Sequence, residues 1–331
     1  MKSQLKKHLS SSTIGKLKSV KSFFTLPFNY IYDYYRHQRY NSSHGLLTSK
    51  DKLNAMILKD YHRIEKGLAL AEPRPGFGQD VMKRLIHNTG FFLDNFGESE
   101  ATSSALSAIR EYINFNNDNN VASIEAESFL DSIAATPACP GGTIQITRDE
   151  LFQALDGNTF KAFVESRYSC RNFTGESVPD DLIVKAVEIS RKTPSVCNRQ
   201  TTKVYILKSP DKKKAALSLQ NGNRGFGHQA SHIAVITSNI RHFEGASERN
   251  QPYFDAGLFA MTFCLSLHAL KVATCFLNWS ADAAQDIKLH KAIGIPENEV
   301  IGTLIAIGTP PELSKYARSN RNKIEDFYEI L

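Results

Sequence analysis

From Asp51 onward apolar residues recur every three or four positions, at Leu53, Met56, Ile57, Tyr61 and Ile64, and this spacing predicts an amphipathic helix. A rigid Pro/Gly loop follows at Glu72-Pro73-Arg74-Pro75-Gly76-Phe77-Gly78. Further helical segments are expected near 79–96, 101–116 and 121–134, before Ala138-Cys139-Pro140-Gly141-Gly142 reads as a linker. These elements outline a helical region over 46–145. Beyond it, Leu151, Phe152, Leu155, Phe160 and Phe163 suggest a helix. A helix from Pro179 to Arg191, with Leu182, Ala186, Val187 and Ile189 on its apolar face, is stopped by Pro194. Lys203 to Lys208 alternates and is β-branched, so it reads as a strand, as do His232–Thr237 and Val272–Leu277. Helices are expected at Asp211–Leu219 and Lys288–Ile293. Val300–Gly308 is nearly continuous in apolar residues and predicts a buried strand. Tyr253–Leu270 is apolar nearly all round, which places it centrally or at a subunit interface.

The first forty residues break this pattern. Residues 1–22 are rich in Lys and Ser without an acid and are expected to be flexible, as part of a basic, aromatic segment over 1–45. Phe23, Phe24, Phe28, Tyr30 and Tyr32 make the next stretch aromatic. Of the net charge of +6, residues 1–40 hold eight Lys or Arg against one acid, a net +7, so the remainder is −1. A nearly neutral body does not suggest nucleic-acid binding by the core. The uncharged window between Lys21 and Asp33 is eleven residues, too short to span a bilayer. Basic residues beside aromatic ones suit peripheral contact with an anionic membrane through residues 1–40. The alternative, and the preferred one, is that these rings pack onto the body or a partner subunit. The five cysteines, Cys139, Cys170, Cys197, Cys264 and Cys275, form no Cys-x-x-Cys pair, which favours reduced thiols in a cytoplasmic protein.

Candidate chemistry concentrates between Ser166 and Gln200. Arg167, Ser169 and Arg171 alternate, so an extended backbone points all three the same way, and two guanidinium forks flanking a hydroxyl suit a phosphate. After the intervening helix, Ser195, Asn198 and Gln200 gather amide and hydroxyl groups able to read the polar edge of a heterocycle. The order and spacing of Ser-Arg-Tyr-Ser-Cys-Arg-Asn-Phe and Pro-Ser-Val-Cys-Asn-Arg-Gln resemble the nitroreductase family of FMN-dependent oxidoreductases, over about residues 150–331. The resemblance implies an α+β fold in a domain over 146–331, with a mixed, largely antiparallel sheet flanked by helices. It also implies a homodimer with FMN at the subunit interface.

Further site residues follow from the same resemblance. Asn223, before the 232–237 strand, would contact the flavin ring. The turn at Asn278-Trp279 would lie beside its reactive edge, with Trp279 either stacking there or packing in the core. Arg321, or alternatively Arg318, would return to the FMN phosphate. Asp255-Ala256-Gly257 resembles the start of the family's long dimer-forming helix. The implied activity is hydride transfer from NADH or NADPH through the flavin to a small-molecule acceptor, with no side-chain nucleophile. A specialised FMN enzyme of the same fold (a dehydrogenase, dehalogenase or flavin-fragmenting enzyme) and a non-catalytic flavin-binding module remain as alternatives. No metal site is expected: His62 with Glu65 lacks a second pair, and His62 reads as a helix-surface residue. The helical region lies outside the resemblance, and a cap over the pocket is the role expected of it.

Overall fold

The computed structural model describes residues 11–43, 45, 49–133, 141–153 and 156–331, so Leu155, Cys139 and most of the expected 138–142 linker lie outside them. Four helices build the first apolar body: α2 (Lys50–Leu68), α3 (Gln79–Phe96), α4 (Glu100–Asp118) and α5 (Ile124–Asp131). Leu53, Ile57, Tyr61 and Ile64 of α2 face inward, where they meet Leu85 and Phe92 of α3 and Ala105, Ala108 and Ile109 of α4. The alanines leave α4 a thin face, so α2 approaches closely. Ser49 caps α2 and Ser99 caps α4, the latter reciprocally with Thr102. The Pro/Gly loop is pinned where Phe77 crosses Gly67, since a Cβ there would sit 2.0 Å from the Phe77 ring. Phe77 also meets Tyr112 edge-on at 5.2 Å, and the Tyr112 hydroxyl donates to the Phe77 carbonyl. Asp60, fully buried, takes both forks of Arg84 at 2.7 Å.

The second body is a four-stranded sheet of β1 (Thr202–Leu207), β2 (His232–Asn239), β3 (Ala273–Asn278) and β4 (Glu299–Gly308), in the order β1-β2-β4-β3. All three pairings are antiparallel, the arrangement expected to dominate. The central strands β2 and β4 are covered on both faces, which explains their nearly continuous apolar sequence. Ile233 and Val235 point with Leu304 and Ala306 toward α9 (Pro210–Leu219) and α11 (Ala283–Ile293). Ala234 and Ile236 point with Ile305 and Ile307 toward α8 (Asp180–Ser190) and α10 (Gln251–Ala269). Gly302 lets α10 lie directly on β4: a Cβ there would be 2.7 Å from that of Ala256. The expected helix through 151–163 is two, α6 (Arg148–Phe152) and α7 (Gly157–Glu165), each restarted by its own cap at Thr147 and Asp156.

Helix α2 joins the two bodies, packing on the turn at Val196–Asn198 and on Ile240–His242. Lys59 pairs with Glu244 and Arg241 with Asp51 across this seam.

Residues 11–22 depart from the expected flexible lead. They open α1 (Ser11–Tyr40), one continuous helix despite Pro27. Its C-terminal half is anchored, and adding turns to an existing helix needs no new nucleus. The anchor is polar. Asn29 accepts from the Ala283 N–H at 2.7 Å, Tyr32 donates to Asp286 at 2.8 Å, and Tyr40 donates to Glu297 at 2.9 Å. Arg36, buried, donates to Asp286 at 3.1 Å and to the carbonyls of Glu297 and Glu299.

Asp286 therefore collects Tyr32, Arg36, the Trp279 indole N–H at 2.7 Å and His290 at 3.4 Å. Burial pushes its carboxyl up, but hydrogen bonds from His290 and Trp279 and the Arg36 charge outweigh this and hold it below the usual range. A carboxylate depressed in the folded state adds stability above its unfolded value of about 3.9, and that stability is lost as pH falls through the folded value. Acid titration followed by the fluorescence of the single Trp, Trp279, should report α1 release at or below that pH. Asp286→Ala should strand Arg36 and cost about 3–5 kcal/mol. Urea melts together with faster proteolysis within α1 would show this.

Candidate functional site

The Arg167–Thr174 segment runs extended along β3. The Cys170 N–H donates to Thr274 O at 2.9 Å and the Thr174 N–H to Thr309 O at 3.0 Å. Cys170 and Phe173 are buried in the core, while Arg167 and Ser169 are half-buried and Arg171 is exposed. Arg167 lines a cavity of about 280 Å³ with Ser166, Cys170, His268, Lys271 and Tyr316. Neither Arg167 nor Arg171 has a carboxylate partner among the described residues. Ser166 Oγ lies 2.7 Å from His268 Nε2. Burial first, and then the Arg167 charge, push the His268 imidazole below its ordinary value. The positive field of this cavity therefore comes from Arg167 and Lys271, which suits a dianionic phosphate.

The second motif forms a strained turn. Cys197, Asn198 and Gln200 have φ of 49°, 52° and 50°, a left-handed backbone that costs about 1–2 kcal/mol per L-residue. Three groups hold it. Asp255, buried at the start of α10, accepts from the Val196 N–H at 3.3 Å and the Thr201 hydroxyl at 3.1 Å. Ser195 Oγ accepts from the Gln200 N–H at 2.9 Å. Arg199, 1% exposed, donates to both Glu248 oxygens at 2.6 and 3.0 Å and to the carbonyls of Val196 and His242. Burial pushes the Glu248 carboxyl up, yet hydrogen bonds from Arg199 and the Glu244 N–H bring it below its usual range. The result is a rigid rim with Asn198 half-buried and Gln200 exposed. Ser195 and Gln200 line a small pocket of about 140 Å³ with Arg191, Thr193, Asp255 and Phe259.

One chain does not bring these two motifs together. The turn sits at the Asp255 end of α10 and the Arg167 cavity at the His268 end, about 20 Å away at a rise of about 1.5 Å per residue. Between them α10 exposes Phe254, Leu258 and Met261.

A third group was only half legible in the sequence. Gln220, buried, donates to Asn278 O at 3.0 Å and accepts from the Gly222 N–H at 2.7 Å and Asn223 Nδ2 at 3.0 Å. It ties Asn223 and Asn278 to one corner. The Asn223 amide also donates to the carbonyls of Leu217 and Gln220, both at 2.8 Å, so it closes the end of α9 and its donor is spent on the chain. Trp279 is half-buried, packs on the sheet core and gives its N–H to Asp286. Arg318 and Arg321 are exposed on the tail after β4 and line no cavity described above. Tyr316, two residues before Arg318, does reach the Arg167 cavity, its ring 5.6 Å from that of Tyr168.

Sequence reading missed Arg199, Asp255 and Gln220. Arg199 stood inside the motif as an unassigned position, and its burial had no local signal. His62 contacts Glu65 at 3.3 Å on α2, and no group of metal-ligating side chains occurs among the described residues. Nor is any described helix long and apolar enough to cross a membrane.

Residues 164–219 and 210–309 match the model of the nitroreductase family. Comparison with curated proteins gives no match. Among solved structures, a proposed nitroreductase of Bacillus subtilis is 19% identical, covering 53% of this chain and all of that one, with a TM-score of 0.47. An FMN-dependent nitroreductase of Clostridium difficile is 18% identical over 50% of this chain and 92% of its own, with a TM-score of 0.41. A proposed NAD(P)H:FMN oxidoreductase of Staphylococcus epidermidis is 18% identical over 52% and 95%, with a TM-score of 0.46. The family match spans the sheet, the Ser195 turn and most of the Arg167 cavity lining, so what resembles the nitroreductase family is the α+β portion of the chain over residues 164–309.

Proposed function

We propose that this protein is an FMN-dependent NAD(P)H oxidoreductase acting as a homodimer. The observation that carries the reading is Arg167, a guanidinium without an acid partner among the described residues, in the wall of a cavity that a phosphate would fill, with the exposed Arg171 four residues on. Arg167, Arg171 and Ser169 would hold the flavin phosphate and ribityl chain, with Arg318 or Arg321 added when the tail carrying Tyr316 closes over them. Bound there, the flavin would supply hydride exchange between NADH or NADPH and a small-molecule acceptor. Both substrates would use one face in turn, so ping-pong kinetics are expected.

The exposed Phe254, Leu258 and Met261 on α10 supply an apolar face for a two-fold contact. Antiparallel pairing of α10 with its copy sets the Asp255 end of one helix against the His268 end of the other. Ser195, Asn198 and Gln200 of the partner subunit then reach the Arg167 cavity. The strain in that turn keeps its amides in place without reorganisation when a ring binds. Helix α2 packs behind the turn, and the helical region would shape the acceptor side as a cap. Cys170, Cys197, Cys264 and Cys275 are free thiols, which suits a cytoplasmic setting.

Purified protein should show a flavin spectrum near one FMN per chain that bleaches on anaerobic addition of NADPH or NADH. A colourless protein that cannot be reconstituted with FMN would overturn the reading. Arg167→Ala with Arg171→Ala should weaken flavin binding at least tenfold, taking about 1.5 kcal/mol or more per charged hydrogen bond, with little change in melting temperature. Arg199→Met should do the reverse in order of cause. It should cost about 3 kcal/mol of stability by stranding Glu248, and flavin should be lost only as the turn loosens. Thermal melts of the flavin-free forms separate the two.

A further inference from the structure

Helix α1 is docked with its polar side inward. Asn29, Tyr32, Arg36 and Tyr40 recur at three and four and make its hydrogen bonds to α11 and the end of the sheet. On the opposite side Val20, Phe24, Phe28, Ile31 and Tyr35 recur at the same spacing. They form a stripe 55%, 64%, 71%, 49% and 67% exposed. Phe23, 75% exposed, widens it and meets Phe24 edge-on at 5.5 Å. Residues 20–28 are exposed throughout, so these rings do not pack onto the body of their own chain. The four polar contacts fix the roll of the helix and leave the stripe facing away from the protein.

Charge distinguishes what this face meets. No acid occurs in the first 32 residues, and Lys16, Lys18 and Lys21 precede or enter the stripe. Lys21 and Arg39 are five helical turns apart at about 3.6 residues per turn, so they share one edge of the stripe at its two ends. Below Tyr35 the stripe meets a cleft of about 570 Å³ between α1 and α11. Arg39 and Lys291 stand on its walls, and the Glu297 carboxylate there is engaged by Tyr40. A second copy of this chain offers a body of net charge near zero to such a surface. Anionic headgroups offer complementary charge to the lysines and an apolar boundary layer to the rings.

We propose that α1 is an interfacial anchor whose Val20–Tyr35 stripe lies in the headgroup layer of an anionic membrane. The catalytic body then hangs from it by the Asp286 cluster. The helix lies on the bilayer and does not cross it.

Flotation of the full-length protein with vesicles of equal parts phosphatidylglycerol and phosphatidylcholine tests this. The protein should float with these vesicles and stay down with phosphatidylcholine alone. Phe24→Asp with Phe28→Asp, or Lys16→Glu with Lys18→Glu and Lys21→Glu, should lower binding at least about tenfold, since each basic residue near the surface contributes about 1 kcal/mol. The melting temperature of the Phe24→Asp with Phe28→Asp variant should stay at the wild-type value, because both rings are exposed and pack on nothing in the body. Wild-type protein that ignores both vesicles, or that floats equally well after the Phe substitutions, would overturn the proposal. Loss of a larger assembly by light scattering in the Phe variant, without flotation of the wild type, would assign the stripe to a second copy instead.

Discussion

A guanidinium is taken out of water only where its donors find oxygens and its charge finds a partner. Arg199 meets that condition inside the loop it belongs to, through Glu248 and the carbonyls of Val196 and His242. The pair welds the 194–201 turn to the 240–248 loop. Phe243 lies under the same guanidinium, its ring centre 5.5 Å away, so the weld is packed as well as bonded. Three left-handed residues in four positions persist because this anchor, together with Asp255, leaves the backbone no relaxed alternative. Helix α2 rests on both halves of the weld, so the helical region and the turn report on each other.

Around that anchor the site is distributed. Helix α10 carries the turn at one end and the Arg167 cavity at the other, and its exposed apolar side runs between them. Under the proposed function, a second copy lying antiparallel would complete this divided site, so the proposed chemistry and the proposed dimer stand together. Gln220 plays a smaller version of the Arg199 role. It is a buried amide that turns two asparagines far apart in sequence into one corner.

The N-terminal helix reverses the usual arrangement, in which an apolar stripe faces the core. Its attachment is a set of directed polar contacts converging on Asp286, each demanding a particular geometry, and its apolar side is left for something outside the chain. Directed contacts fix rotation about the helix axis more tightly than apolar packing would. That same carboxylate also orients Trp279, so the anchor of α1 and the corner at Asn278 share one group.

Periodicity in the sequence determined the elements. Alternation marked β1, a nearly unbroken apolar run marked β4, three-to-four spacing marked α2 and an all-round apolar stretch marked α10, because these patterns depend only on which side of an element is buried. The Arg167–Arg171 and Ser195–Gln200 motifs were legible for the same reason, since their residues are close in the chain. Tertiary structure alone decided where polar groups went. The carboxylate that pairs with Arg199 lies 49 residues away and the one that pairs with Arg36 lies 250 away, and a buried charge leaves no mark on its neighbours in sequence. It decided that Trp279 turns toward Asp286, that the Asn223 amide closes a helix, and that the rings of α1 face outward. Local pattern records how much of a segment is buried; which group satisfies which is settled only when distant segments meet.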